Sequence, residues 1–259
     1  MDEGLLCARS IEVVFDLTSV AGRKRVVALS DVSVCLQEGV SVAVIGESGS
    51  GKTTLGMVMA GLLLPQKGNV LFDGADVYGS HDKGFLRRFR RAVQLVFQNP
   101  TEAVDPLYTI REYFYEALDV HFPNLKKDEK LSRARLALKD VGLEDVALEK
   151  FPAELSGGQL QRVCIARAIM LSPKVLILDE PTSALDKDTE RMIVSLIMNL
   201  KKKYGFSMMF ISHDLALAEI MADNILLLKN GKVVESGPAN EFFRSPSSEY
   251  GMALLSSIL

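Results

Sequence analysis

Apolar residues in this chain fall into short β-branched blocks and longer stretches with an apolar position every three or four residues. IEVVFDL (11–17) and RVVALSDVSVCL (25–36) are β-branched and partly alternating, which predicts two strands, with TSVAGRK (18–24) as the loop between them. SVAVIG (41–46) is a continuous apolar run ending in glycine, the pattern of a strand buried on both faces. TTLGMVMAGLLL (53–64) reads as a helix stopped by Pro65, and NVLFDG and RAVQLVFQ as further strands.

From Asn99 the pattern changes. REYFYEAL, KDEKLSRARLALKDVG and EDVALEKF show helical spacing with charged faces. Strands and helices then alternate: helix GQLQRVCIARAIML, strand KVLILDE, helix DTERMIVSLIMNLKKKYG, strand SMMFIS, helix LALAEIMA. In ILLLKNGKVVESG, Asn230-Gly231 between apolar runs predicts a two-residue hairpin. The tail SPSSEYGMALLSSIL predicts a short amphipathic helix. The alternation implies an α/β fold with a mainly parallel sheet covered on both sides. The expected organisation is one domain: an α/β core of residues 1–98 and 163–259, interrupted by a helical subdomain over 99–162.

A chain of 259 residues with 48% apolar content can bury a sizeable core. The formal net charge of −3, with signs mixed, predicts no nucleic-acid partner. Cys7, Cys35 and Cys164 lack metal-ligand spacing, so free thiols in a reducing cytosol are expected. No segment has the apolar length to span a bilayer, and the opening MDEGLLCARS lacks a basic region before an apolar run. A cytoplasmic chain follows; work at a membrane needs another chain to cross it.

The chemistry concentrates at strand ends. Gly46, Glu47, Ser48, Gly49, Ser50, Gly51, Lys52, Thr53 and Thr54 form GESGSGKTT, a P-loop pattern directly after a predicted strand and before a predicted helix. Its glycines let successive N–H groups face phosphate oxygens. Lys52 would reach the β- and γ-phosphates of ATP, and the Thr53 hydroxyl would ligate Mg²⁺. VLILDE delivers Asp179 and Glu180 to the C-terminal end of a buried strand, where ligands bind in open α/β sheets. Asp179 suits a metal partner acting through water, and Glu180 is placed to polarise the attacking water. Gln98, at the end of QLVFQ, is either an ordinary polar strand end or a contact for Mg²⁺ or that water. His213, in FISHD, is either a strand-end or capping histidine or a γ-phosphate donor. Ser156, Gly157, Gly158 and Gln159, in LSGGQLQR, are either a simple N-cap or a second phosphate-binding device. The second reading requires two copies head to tail, each capping the nucleotide on the other's P-loop.

Taken together, GESGSGKT, VFQNP, LSGGQ, VLILDE, SALD and SHD resemble, in order, the Walker A, Q-loop, signature, Walker B, D-loop and switch-histidine motifs of the ATP-binding cassette (ABC) ATPases. The resemblance covers essentially the whole chain. It implies a P-loop NTPase fold with a RecA-like core, an N-terminal antiparallel β subdomain and an inserted helical subdomain. It also implies a nucleotide sandwich dimer, Glu180 as catalytic carboxylate, Asp186 in the D-loop across the interface, and an aromatic stacked on adenine. Phe15 is the candidate for that aromatic, with a core position as its alternative.

At a finer level, QLVFQNPTEAVDPLYTIRE and GESGSGKTTLGMVMAGLLLP are similar to the oligopeptide, dipeptide and nickel import subgroup. Ser248-Glu249 depart from that group's His-Pro before Tyr250. The implied activity is ATP hydrolysis powering import of a small solute. The implied partners are transmembrane permease subunits docking near 99–108, a second cassette as homodimer or heterodimer and, indirectly, an extracytoplasmic solute-binding protein. The implied location is the inner face of the cell membrane. Two alternatives stand beside this reading. A soluble cassette of translation or DNA repair is disfavoured by the single cassette without sustained heptads. A regulator without turnover is disfavoured by the presence of Glu180 and His213.

Overall fold

A computed structural model describes residues 4–19, 22–183 and 185–256, with the side chains of 17–19 and 22–24 left aside. In chain order the elements are β1 (Leu6–Ser19), β2 (Gly22–Leu36), β3 (Ser41–Ile45), α1 (Lys52–Met59), β4 (Lys67–Phe72), β5 (Ala75–Asp76), α2 (Lys83–Ala92), β6 (Val93–Val96), α3 (Pro100–Ala103), α4 (Ile110–His121) and α5 (Lys127–Asp140). Two 3₁₀ turns follow, Asp145–Glu149 and Pro152–Glu154. Then come α6 (Gly157–Met170), β7 (Val175–Asp179), α7 (Lys187–Tyr204), β8 (Ser207–Ser212), α8 (Leu215–Met221), β9 (Asn224–Lys229), β10 (Lys232–Pro238), α9 (Ala239–Arg244) and α10 (Glu249–Ser256). These form two compact units: residues up to Arg90 together with those from Ser207, and Arg91–Phe206. The helical block therefore shares its unit with β6, β7 and α7, a wider division than 99–162.

In the first unit, β2, β1, β4 and β5 form an antiparallel sheet, while β3 lies parallel between β8 and β9. Every residue of β3 and β8 is buried, so their backbone groups must pair within the sheet. β9 turns into β10 through Asn230 and Gly231, at φ 50° and 75°, the left-handed pair that a two-residue hairpin needs. α2 was not predicted from the sequence. Its exposed Lys83, Arg87, Arg88 and Arg90 leave Phe85, Phe89 and the small Ala92 as a buried i, i+4, i+7 stripe, and the Phe89 ring meets Phe72 edge-on at 5.5 Å.

Three expectations are corrected in this unit. The loop expected over 18–24 is largely strand, because β1 and β2 pair as far as Ser19 opposite Gly22. Cross-strand hydrogen bonds extend a ribbon past its apolar residues. The helix expected to reach Leu64 ends at Met59, where Gly61 takes φ +73° and Leu62 and Leu64 turn outward. Cys7 and Cys35 are not free thiols but disulfide-bonded: β1–β2 register sets them directly opposite, Cα atoms 4.1 Å apart. Chain spacing gave no sign of that pairing; strand register creates it. Cys164 is a buried free thiol, and burial pushes it up to about 11.

In the second unit, β6 and β7 are parallel, and all five residues of β7 are buried. Fully buried Ile110, Phe114 and Leu118 of α4, Leu138 of α5 and Ile165 of α6 carry the helical core. Thr109 and Glu112 close a capping box at the start of α4. EDVALEKF, expected as a helix, is a short 3₁₀ turn over Asp145–Glu149.

Phe89 is 1% exposed in an aromatic cluster with Phe72. Phe89→Ala should lower stability by about 3–5 kcal/mol, read as a shift of the urea midpoint at unchanged slope. A loss below about 1 kcal/mol would mean that α2 is not packed on that ring.

Candidate functional site

β3, buried throughout, releases the chain at Gly46 into a loop that leaves no room for side chains at two points. Gly46 has φ +152°, and a Cβ there would lie 2.2 Å from the Leu228 carbonyl oxygen. Gly51 has φ +103°, and its Cβ would lie 2.4 Å from the Ala28 carbonyl oxygen. The Gly231 N–H donates to the Ser50 carbonyl at 3.0 Å, so the β9–β10 turn braces the loop from outside.

Gly51 is the N-cap of α1, with no side-chain cap and no acidic residue in the first turn. The N-cap residue therefore offers no side-chain acceptor to the positive end of the helix. Lys52 is 5% exposed, and its Nζ donates to the Gly46 and Glu47 carbonyls at 2.8 and 2.9 Å. The ammonium is folded over the loop, held by neutral acceptors that an anion would displace. Ser50 Oγ is buried without a hydrogen-bond partner. An uncapped helix start, an inward lysine and an orphaned hydroxyl fit a phosphate-bearing ligand.

β8 runs parallel to β3 with Ser212 opposite Ile45, so His213 and Gly46 leave neighbouring strands at the same end. His213 is exposed. Capping of α8 belongs to Asp214, whose Oδ1 accepts from Ala216 and Leu217 N–H at 2.9 and 3.2 Å. Phe15 lies on β1 opposite Val26 and is 39% exposed, outside the core that Val13 and Val14 enter.

The second unit holds the carboxylates. Asp179 ends β7 at 3% exposure. Glu180 follows at φ +41°, a left-handed conformation costing a non-glycine residue about 1–3 kcal/mol and concentrated at functional sites. The Gln98 amide donates to Glu180 Oε2 at 3.1 Å and to Ser183 Oγ at 3.2 Å. Ser183 Oγ donates to the Glu180 carbonyl at 3.2 Å. Gln98 and Glu180, 82 residues apart, are separate candidates in the sequence, whereas Ser183, which opens SALD, carries no site role there. The available signal was a hydroxyl three residues past the glutamate.

Ser156 is the N-cap of α6 in a reciprocal box: its Oγ accepts from Gln159 N–H at 3.3 Å, and Gln159 Oε1 accepts from Ser156 N–H at 2.9 Å. Gly157 and Gly158 form the first turn, and a Cβ at Gly158 would press 2.6 Å from Thr189 Cγ2. Asp186 caps α7, accepting from Asp188 and Thr189 N–H at 3.1 and 2.9 Å and from Thr189 Oγ1 at 2.7 Å. The Thr189 backbone bond, first among these, holds its carboxyl below the usual range. Ser156–Gln159, Asp186 and Thr189 line one cleft within this unit. Ala184, in SALD, lies outside the described residues.

The chain is similar to known proteins. The chain is 40% identical over 230 residues to the "Peptidoglycan transport ATP-binding protein YejF" of Agrobacterium fabrum, covering 89% of this chain and 42% of that protein. It is 37% identical over 239 residues to the "Oligopeptide transport ATP-binding protein OppF" of Bacillus subtilis, covering 92% of this chain and 78% of that one. Among solved structures, a dimeric ATP-binding cassette in a post-hydrolysis state bound to ADP and Pi superposes with TM-score 0.79 at 30% identity, covering 90% of this chain and 98% of that one. The cbiO1 protein of Clostridium perfringens, part of the ABC transporter complex cbiONQ, gives TM-score 0.77 at 28% identity, covering 94% and 92%. These neighbours share the P-loop NTPase fold expected from the motifs. A sequence profile described as "ABC transporter" matches residues 29–183, more than half of the chain and inclusive of both the phosphate loop and the carboxylate strand; the chain belongs to the ABC transporter family.

Proposed function

We propose that this chain is the ATP-hydrolysing cassette of an importer of small solutes, working on the cytoplasmic face of a membrane that partner permease subunits cross. The observation that carries this reading is the Glu180 carboxylate. It sits just past a buried strand in a left-handed backbone and is held by the Gln98 amide. A carboxylate fixed in this way is suited to take a proton from water.

Lys52 exchanges its loop carbonyls for the β- and γ-phosphates of ATP. The uncapped first turn of α1 supplies N–H donors, and Phe15 offers its exposed ring to the adenine. When bound, Mg²⁺ neutralises charge on the phosphate oxygens; Thr53, Gln98 and Asp179 would hold it, directly or through water. A hydroxyl, an amide and a carboxylate are the hard oxygen donors that this ion takes. Glu180 orients and deprotonates the attacking water, and His213 hydrogen-bonds the γ-phosphate. Ser156, Gly157, Gly158 and Gln159 of one protomer cap the phosphate held by Lys52 of a second, identical or similar, with Asp186 beside them at the interface. That the aligned cassette was solved as a dimer with ADP and Pi supports this assembly.

Peptide cargo is favoured over nickel because the Bacillus subtilis relative is named for oligopeptide transport. An extracytoplasmic solute-binding protein would deliver that cargo. Among the described residues no helix is long and apolar enough to cross a membrane.

Glu180→Gln should still bind ATP, accumulate as a dimer on sizing, and turn over at least ~100-fold more slowly. A normal phosphate-release rate in that variant removes the water-activating role. Lys52→Ala should weaken ATP binding roughly ten- to a hundred-fold by direct titration, the weight of hydrogen bonds to a charged group. Cysteines introduced at Ser48, an exposed residue of the phosphate loop, and at Ser156 of the Glu180→Gln protein, with Lys52 kept, should crosslink between protomers only with ATP present. Absence of the crosslink in the loaded protein overturns the sandwich.

A further inference from the structure

We propose that Tyr250 is a positioning residue for the phosphate loop, through which the C-terminal helix α10 sets how tightly the loop takes nucleotide. The Tyr250 hydroxyl accepts a hydrogen bond from the Glu47 N–H at 3.3 Å. Glu47 is the second residue of the loop, and Lys52 Nζ holds its carbonyl at 2.9 Å. The Glu47 peptide unit and its neighbour are thus gripped from both sides, by a lysine that must leave when phosphate enters and by a tyrosine that need not move.

The tyrosine is itself fixed by groups of the same compact unit. Lys229 Nζ, at the end of β9, lies 4.2 Å from the centroid of its ring. Glu235 of β10 accepts from Ser247 and Ser248 N–H at 2.7 and 3.0 Å and from Ser248 Oγ at 2.5 Å. Ser248 Oγ in turn accepts from Gly251 N–H at 2.9 Å, which closes the first turn of α10. A Cβ at Gly251 would lie 2.7 Å from Glu235 Oε2, so the helix start is seated directly on that carboxylate. The same hairpin braces the loop elsewhere, through Gly231 and Leu228. Sheet, helix start, tyrosine and loop are therefore linked by short polar contacts, and the Tyr250 hydroxyl is the last of them.

Its effect is preorganisation. A loop already in its binding shape loses less conformational freedom when nucleotide arrives, which improves affinity without adding a contact to the ligand. The inference rests on reading this loop as the nucleotide site. It assigns Tyr250 an influence on binding, not on the chemical step.

Tyr250→Phe keeps the ring over Lys229 and removes only the hydroxyl. Three measurements on the full chain test it: affinity for a fluorescent ATP analogue and for ADP, steady-state ATP hydrolysis, and hydrogen exchange at the Glu47 amide without nucleotide. The expected result is a roughly three- to ten-fold rise in Kd and KM, the weight of one neutral hydrogen bond, with kcat changed by less than about two-fold. Exchange at Glu47 should quicken while the melting temperature holds. Unchanged affinity and exchange overturn the proposal, as does a fall in kcat with Kd unaltered. Faster exchange throughout α10 with a lower melting temperature also overturns it, because Tyr250 would then be an ordinary docking residue. Lys52→Ala measured alongside separates the two levels. If it loses nucleotide while Tyr250→Phe does not, only the role of Tyr250 fails. If neither variant loses nucleotide, the reading of the loop fails.

Discussion

A peptide group buried without a hydrogen-bond partner costs about 1–3 kcal/mol, roughly twice what a satisfied one contributes. That penalty organises the parts of this protein that matter for chemistry. β3, β7 and β8 are buried at every position, so each backbone group in them needs a neighbouring strand. Parallel neighbours supply the partners, β8 and β9 for β3 and β6 for β7. The polar residues of these strands, Ser41, Ser207, Ser212 and Asp179, stand at strand ends, and the interior positions are apolar. Their chemistry follows at the C-terminal ends, from Gly46, Glu180 and His213 onward.

The same economy shapes the phosphate loop. Backbone from two places, Leu228 and Ala28, approaches the loop so closely that only glycine fits at Gly46 and Gly51, and Gly231 holds the Ser50 carbonyl between them. That crowding leaves no side chain at these two positions, and the buried lysine turns onto its own loop. The helix start beyond it is uncapped. At α6 the opposite choice is made, since Ser156 and Gln159 cap each other. A cap and an interface role are compatible, because a capping box occupies side-chain atoms and leaves the glycines of the first turn free of side-chain bulk.

Much of this was legible along the chain. Gly46 to Thr54 and VLILDE are contiguous, and their chemistry depends on residue type and on the strand before them. Other features depend on pairing across the sequence. Cys7 meets Cys35 only because β1 and β2 adopt one register. Gln98 meets Glu180 and Ser183 because β6 and β7 are neighbours. α2 escaped notice because two phenylalanines among basic residues are too few for a periodic signal, although together with Phe72 they suffice for a core.

The sequence by itself determined which strands would be buried, where the loops carrying Lys52, Glu180 and Ser156 would fall, and the order of those motifs. These follow from local hydrophobicity, glycine content and helix-start chemistry, all short-range properties. Only the tertiary structure decided that Glu180 would be left-handed, that Asp214 and not His213 would cap α8, and that Tyr250 would reach Glu47 from 203 residues away. Contacts of that separation are fixed by strand register and by the space left between packed elements, and neither quantity is written in any local stretch of the chain.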